Sequence, residues 1–272
     1  MKTRTLTVAL AGFAAVLAGC SSIPISGEGL INIGASALPI GPEKEAEIGF
    51  GIAATVVGRY HLVEDAELHR YVNLVGQSVA QQSIRGSEVQ FSFGVLDTDD
   101  VNAFAAPGGY ILITRGALGL MESEADLAGV LAHEVGHVDQ KHVLDEIRRS
   151  SVFETVQEES ELEGPLLDQI AELGGSLLFM PGLSREDEME ADSLGVLYAA
   201  ATGYRPDGIL NFLQRLHDAE QNEAAGVREW MATHPSTRDR IDAVARQLAR
   251  PGIDRAAGQE VEERFRRFVR GG

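Results

Sequence analysis

One short segment of this 272-residue chain limits its possible folds more than any other, the triplet His133-Glu134-x-x-His137. If the segment is helical, the two imidazoles lie four residues apart on the same face and can reach one metal ion. Glu134 then lies within hydrogen-bonding reach of a water on that ion. The spacing therefore predicts a metal-binding helix, and the alternative is a chance triplet on a core helix.

The residues around the triplet favour a helix. Ser123 and Asp126 have the spacing of a capping box, which marks a helix start. Apolar side chains then recur at helical spacing around the triplet: Leu127, Val130, Leu131 and Val138. The triplet thus falls inside a buried stripe, where ionisable groups are costly unless a cation compensates them.

A third ligand is expected from a second helix, at residues 184–192. Ser184 and Asp187 again have the spacing of a capping box, and they predict a helix that runs to about residue 201. On that helix Glu188 could complete a His, His, Glu site with one position left open, the arrangement of catalytic zinc. Asp192, one turn on, is placed to orient a ligand imidazole. The alternative interpretation is a solvated acidic helix face.

Two further blocks, Asn-Ala-Phe-Ala-Ala-Pro-Gly-Gly-Tyr at 102–110 and Thr-His-Pro-Ser-Thr-Arg-Asp-Arg at 233–240, complete a pattern of four. In this order the blocks resemble the gluzincin family of the CAAX prenyl protease, the heat-shock membrane protease and the beta-barrel assembly-enhancing protease, peptidase family M48. The resemblance covers residues 43–248. Because the chain has neither a repeat extension nor a second long apolar run, it is most similar to the family's short bacterial lipoprotein branch.

The resemblance implies a role for each matching residue: His133, His137 and Glu188 as ligands of one Zn²⁺ per chain, Glu134 as catalytic base, His234 and Arg240 as catalytic residues lining the cleft, and Asp192 beside a ligand histidine. Glu190 competes with Glu188 for the ligand position. The family pattern places the ligand four residues before the aspartate, which favours Glu188. His142, beyond the motif, is expected to be exposed.

The expected fold is α+β, a mainly helical metallopeptidase domain with a small antiparallel three-stranded sheet beside the motif helix. The strands are predicted from period-two alternation at 89–96 and 101–105 and from residues 110–114, which follow a Pro-Gly-Gly turn. An edge strand beside the zinc could pair with an extended substrate. The candidate edge consists of Asn102, Ala103, Phe104 and Ala105, and the alternative is a hairpin that only covers the core.

The N-terminal segment predicts export and lipid attachment. Residues 1–19 have a basic start and an apolar run too short to span a bilayer, followed by a small-residue site at Cys20, which indicates a lipoprotein signal peptide. Cys20 is the only cysteine, so its expected use is as the anchor; the alternative is a plain secretory signal. Residues 20–42 are expected to form a lipidated tether. No Asp follows the cysteine, and by family resemblance this favours the outer membrane.

The remaining segments divide the chain into an expected metallopeptidase domain at 43–250 and a C-terminal tail at 251–272. Between the two metal helices, residues 141–181 form a helical excursion with a weak point at Gly174-Gly175. It is interpreted as a lid over the cleft or as a packing helix. The tail is interpreted as a docking piece or a frayed end.

Composition limits the function classes. A net charge of −18 argues against nucleic acid as a partner, because phosphates would be repelled. The prediction is a zinc-dependent endopeptidase of the bacterial envelope, lipid-anchored and facing the periplasm, that acts on misfolded or misassembled envelope proteins. Envelope assembly machinery is a possible partner. The alternative is a chaperone or assembly factor for outer-membrane proteins with a gated or little-used protease site.

Overall fold

The computed structural model of the protein describes residues 40–149, 174–176, 183–224 and 226–271. Residues 1–39, and with them the expected signal peptide, Cys20 and nearly all of the tether, lie outside the described residues, as does most of the 141–181 excursion. Within the described ranges, no helix is long and apolar enough to cross a membrane.

Helices dominate the described part of the chain. They are α1 (Pro42–Tyr60), α2 (Ala66–Ala80), α3 (Arg115–Leu120), α4 (Glu124–Gln140), α5 (His142–Arg149), α6 (Arg185–Thr202), α7 (Gly208–Gln221), α8 (Val227–Thr233), α9 (Thr237–Leu248) and α10 (Glu262–Val269). The strands are β1 (Ser92–Leu96), β2 (Ala103–Ala106) and β3 (Tyr110–Thr114). The expected α+β class is confirmed.

The sheet is mixed, so the expectation of an entirely antiparallel sheet is wrong for one pair. β2 and β3 form an antiparallel hairpin around the turn Pro107–Gly109, where Gly108 has a φ of 72° that suits glycine. β1 lies on the other side of β3 and runs parallel to it, in the order β1-β3-β2. β1 and β2 lie on opposite edges of the sheet and run in opposite directions, so β1 has the same direction as β3.

Helix α4 lies at the centre of the molecule. Every residue from Glu124 to Asp139 is buried, so this helix is enclosed on all sides rather than along one stripe. It packs against α6, α7, α2 and the hairpin. A helix in this position can hold ionisable groups away from solvent.

The 141–181 excursion and the C-terminal tail both contact the rest of the protein through their described residues. Gly174 and Gly175 are buried against α1, where a Cβ at Gly174 would collide with the side chain of Ile52. The two glycines therefore allow this segment to lie in close contact with α1. In the tail, Phe265 of α10 is fully buried in the main core and Arg264 pairs with Glu124 of α4, which fits a docking piece.

Candidate metal centre

Two capping boxes begin the helices that build the site, as predicted. The hydroxyl of Ser123 accepts the backbone N–H of Asp126 at the start of α4. At the start of α6, the Ser184 hydroxyl accepts the N–H of Asp187, whose carboxylate accepts the N–H of Ser184. These contacts satisfy backbone donors that a helix start leaves unpaired and fix where each helix begins.

Small residues allow α4 and α6 to lie close together. A Cβ at Gly195 would lie 3.2 Å from the backbone nitrogen of His133, and one at Gly136 would lie 3.3 Å from Cα of Ala191. Both distances are tighter than ordinary contacts, so larger side chains would push the helices apart. The close approach brings Glu188 on α6 to the histidines of α4.

Four buried side chains converge between these helices: His133, His137, Glu188 and His234, whose ligand atoms all lie within 4.8 Å of one another. Nε2 of His133 and Nε2 of His137 are 3.0 Å apart. The Glu188 carboxylate oxygens are 3.8 Å from Nε2 of His133 and 3.5 Å from Nε2 of His137.

This donor set fits a zinc ion. Two ligands bonded at about 2.0–2.2 Å around a tetrahedral ion lie about 3.3–3.6 Å apart, which is close to the three separations observed. Two imidazoles and one carboxylate are also the ligand types of catalytic zinc sites. Burial, with the neighbouring histidines, lowers the pKa of His137 well below its usual range, so the ring is neutral near pH 7 and can donate a lone pair.

The environment of Glu134 also indicates a bound group, independently of the ligand spacing. Both of its carboxylate oxygens are buried, and neither has a hydrogen-bond partner among the described residues. Burial raises the pKa of this carboxyl, against the opposing charges of His234 and His133. Since buried polar groups are almost always paired, a water on a bound ion or a substrate group would supply the partner that this carboxylate lacks among the described residues.

A second layer of charge supports the cluster. Nδ1 of His133 lies 2.9 Å from Oδ1 of Asp192, the residue predicted to orient a ligand imidazole. Arg240 donates from Nε and Nη2 to the two oxygens of Asp192, at 2.8 and 2.7 Å. Its Nη1 lies 2.7 Å from Oε2 of Glu188. Arg240 is fully buried, so its charge acts on these two carboxylates without screening by solvent.

These contacts set the charge states of the carboxylates. Burial raises the pKa of Glu188, but the charges of His234 and Arg240 outweigh it and leave this pKa below its usual value. Burial likewise opposes ionisation of Asp192, but Arg240 and His133 hold its pKa far below the usual range. Both groups are therefore ionised at neutral pH.

His234 connects the cluster to the edge strand. Its Nδ1 lies 3.1 Å from both oxygens of Glu188, and its Nε2 lies 3.3 Å from the carbonyl oxygen of Ala103. The ring stacks on Trp230, with centroids 4.4 Å apart. Burial lowers the pKa of His234, but the Glu188 carboxylate outweighs it and raises this pKa above its ordinary value.

The described structure therefore brings together all the residues predicted for the metal site. Glu190, the alternative ligand, is half exposed and lies near His142 instead. β2 lies at an edge of the sheet, as expected for the candidate edge strand, and its residues are buried. The catalytic and ligand roles themselves stay predictions, as does lipid attachment at Cys20.

Two residues of the site were missed from the sequence. His142 is buried rather than exposed, and its Nδ1 lies 2.8 Å from Nδ1 of His137. The cause is Lys141, which ends α4 in the left-handed conformation (φ 61°) and starts α5 at once, so that His142 folds back onto α4. Lysine is not a typical residue for such a turn, and no glycine marks it. Trp230 carried no sequence signal beyond its apolar character.

The buried set of His133, His137 and Glu188, with Glu134 beside it unpaired among the described residues, is typical of the metallopeptidase class. Comparison with known families agrees. The profile described as Peptidase family M48 matches residues 65–248. The chain belongs to this family, and the family resemblance predicted from its four blocks is confirmed.

Curated relatives are similar over more than half of the chain. A putative beta-barrel assembly-enhancing protease from Vibrio cholerae is 30% identical over 195 residues, which cover 66% of this chain and 39% of that protein. The beta-barrel assembly-enhancing protease of Escherichia coli K12 is 26% identical over 216 residues, 76% of this chain and 44% of that protein. The mitochondrial metalloendopeptidase OMA1 of Arabidopsis thaliana is 32% identical over 151 residues, 56% of this chain and 30% of that protein. The chain thus spans less than half the length of these relatives.

Proposed function

We propose that this protein is a zinc-dependent endopeptidase of the bacterial cell envelope that hydrolyses peptide bonds in misfolded or misassembled envelope proteins. One observation carries the proposal. His133, His137 and Glu188 have ligand atoms within about 0.3 Å of the mutual spacing of a tetrahedral zinc site, and the buried carboxylate of Glu134 beside them has no partner among the described residues. Membership of a peptidase family supports the same conclusion.

The roles of the residues follow from their positions. His133, His137 and Glu188 would hold the ion, which when bound polarises a peptide carbonyl and makes water a nucleophile near neutral pH. Glu134 takes the proton of the attacking water and delivers it to the leaving amine. His234, stacked on Trp230, would donate its Nε2 hydrogen to the developing oxyanion once the contact of Nε2 with the Ala103 carbonyl is broken.

Strand β2 provides the proposed substrate edge. Asn102 pairs with Thr114 of β3, because its N–H donates to the Thr114 hydroxyl and its carbonyl accepts the Thr114 N–H. In an antiparallel ladder with this pairing, the backbone N–H and C=O groups of Ala103 and Ala105 point away from β3. The outward carbonyl of Ala103 already accepts from His234. A substrate strand that pairs here would lie beside the metal ligands, and backbone pairing would accept many sequences.

The alternative, a chaperone or assembly factor with a gated site, is favoured by one observation. The candidate ligands and the residues of β2 are all at most 5% exposed, so a polypeptide cannot reach them without movement. His234 is placed to act in such gating because it bridges Glu188 and Ala103. Its displacement would free both the edge strand and the ligand cluster.

Location and partners are part of the proposal. The lipobox at Cys20 supports a lipid anchor, and the absence of a following Asp supports the outer membrane. Two relatives are named for enhancing beta-barrel assembly, which supports misassembled envelope proteins as substrates and envelope assembly machinery as a partner. The strong negative charge argues against a nucleic acid partner.

Substitution Glu134→Gln tests the enzyme proposal. We expect it to preserve zinc content and thermal stability but to lower cleavage of unfolded casein by at least about 10²-fold, the usual contribution of a general base. Chelation of the unaltered protein should abolish cleavage, and added Zn²⁺ should restore it. Undiminished turnover by pure Glu134→Gln protein would refute the role of Glu134.

The chaperone alternative predicts a different result in the same assay. A chaperone would prevent aggregation of an unfolded client equally well with and without chelator, and it would leave the client intact. Cleavage that appears only after His234→Ala would support a gated enzyme, since that change removes the bridge between Glu188 and Ala103.

A further inference from the structure

His142 has a contact that the proposed chemistry does not use. The left-handed turn at Lys141 separates α4 from α5 by a single residue and directs the His142 ring back toward His137. The ring is 5% exposed, and its Nδ1 lies 2.8 Å from Nδ1 of His137. At this separation the two nitrogens share one hydrogen, so one ring donates and the other accepts.

The two nitrogens of His137 face different surroundings. Nε2 lies toward the ligand cluster, 3.0 Å from Nε2 of His133 and 3.5 Å from Oε1 of Glu188. A neutral imidazole carries one N–H. If Nε2 offers its lone pair to the ion, the hydrogen is on Nδ1, and His137 must be the donor to His142.

The surroundings of Nε2 of His142 favour the tautomer in which Nδ1 accepts the hydrogen bond from His137. Its Nε2 lies 3.6 Å from Oδ1 of Asp187 and 3.5 Å from Oε2 of Glu190, both on α6. Two carboxylates favour a hydrogen on Nε2, which leaves Nδ1 free to accept. The helix that carries Glu188 thus also sets which nitrogen of His142 can accept.

We propose that His142 is a positioning residue for the zinc site: it accepts a hydrogen bond from His137 and so fixes the ring orientation and tautomer in which His137 offers Nε2 to the ion. This rests on the proposed zinc site. His133 has the equivalent support from Asp192, 2.9 Å from its Nδ1. Each ligand histidine then has its own acceptor, as metal-bound histidines in general require.

Two variants of nearly equal shape separate the acceptor from the packing of His142. His142→Asn keeps an acceptor oxygen at the same number of bonds from Cα as Nδ1, whereas His142→Leu has a similar outline without one. Zn²⁺ affinity is measured on the purified full chain by competition with a chromogenic chelator, and thermal unfolding is measured without metal. His69→Leu replaces a partly buried histidine outside the site, which contacts the carbonyl of Val63, and serves as the control.

We expect His142→Leu to weaken Zn²⁺ binding about 10–100-fold, the usual effect of losing such a partner, while His142→Asn and His69→Leu stay close to the unaltered protein. Equal affinity of the Leu variant and the unaltered protein would overturn the inference, as would equal losses in the Leu and Asn variants. If His142→Leu does not fold, His142→Met replaces it with the same expectations. Failure of the unaltered protein to bind Zn²⁺ would instead refute the proposed function.

Discussion

At the scale of single residues, the site depends on buried charges of opposite sign that neutralise one another. Glu188 and Asp192 are both ionised and fully buried, and Arg240 contacts both. A buried charge that loses its partner is costly, because nothing replaces the solvent it gave up. Arg240 is thus expected to act through the carboxylates, although the family resemblance places it in the cleft.

Replacing Arg240 tests this balance. Arg240→Met leaves two buried carboxylates without their cation, and we expect the free energy of unfolding of the metal-free protein to fall by about 3–5 kcal/mol. Arg238→Met, at an exposed position of the same helix, is the control and should change it by no more than about 0.5 kcal/mol. Urea unfolding measures both, and similar effects of the two substitutions would contradict the assigned role of Arg240.

At the scale of helices and strands, one buried ion pair joins elements that surround the site. Glu45 on α1 accepts from Nη1 and Nη2 of Arg85 and from the N–H of Gly108 in the β2–β3 turn. Arg85 also donates to the carbonyl of Val138, near the end of α4. The pair therefore connects α1, the hairpin turn and the metal helix.

The stability supplied by Glu45 should depend on pH. Burial raises its pKa, but the hydrogen bonds and charge of Arg85 outweigh burial and leave it below the ordinary value of 4.5. The folded state thus binds a proton less readily than the unfolded state, so the contribution is complete above pH 4.5 and is lost as pH falls through the folded-state pKa.

Glu45→Gln tests that dependence. We expect a loss of about 3–5 kcal/mol at pH 7, because Arg85 stays buried without its countercharge, and a smaller difference from the unaltered protein below pH 4.5. Glu47→Gln, on the exposed side of the same helix, is the control and should have little effect at either pH. A difference between the Glu45 variant and the unaltered protein that grows as pH falls would contradict this explanation.

At the scale of the whole molecule, local patterns in the sequence predicted most of the architecture. Capping boxes at Ser123 and Ser184 located the starts of α4 and α6. Such features depend on neighbours in the chain, so a single sequence is enough to predict them.

Features that depend on distant contacts were not predictable in the same way. The parallel pairing of β1 with β3 depends on which edge of the hairpin β1 occupies, and strand alternation does not encode that choice. The burial of His142 depends on a left-handed lysine, a conformation that tertiary packing selects against local preference. Arg240 was expected to line the cleft, but its contact with both Glu188 and Asp192 requires α9 to pack against α6.

The central claim concerns one zinc ion held between α4 and α6. Zinc content per chain, measured by atomic emission after exhaustive dialysis, tests it most directly in the unaltered protein, Glu188→Gln and Glu190→Gln. The account predicts one zinc per chain in the unaltered protein and in Glu190→Gln, whose side chain is half exposed beside the site, and almost none in Glu188→Gln. Zinc retained by Glu188→Gln at the level of the unaltered protein, or absent from all three, would contradict it.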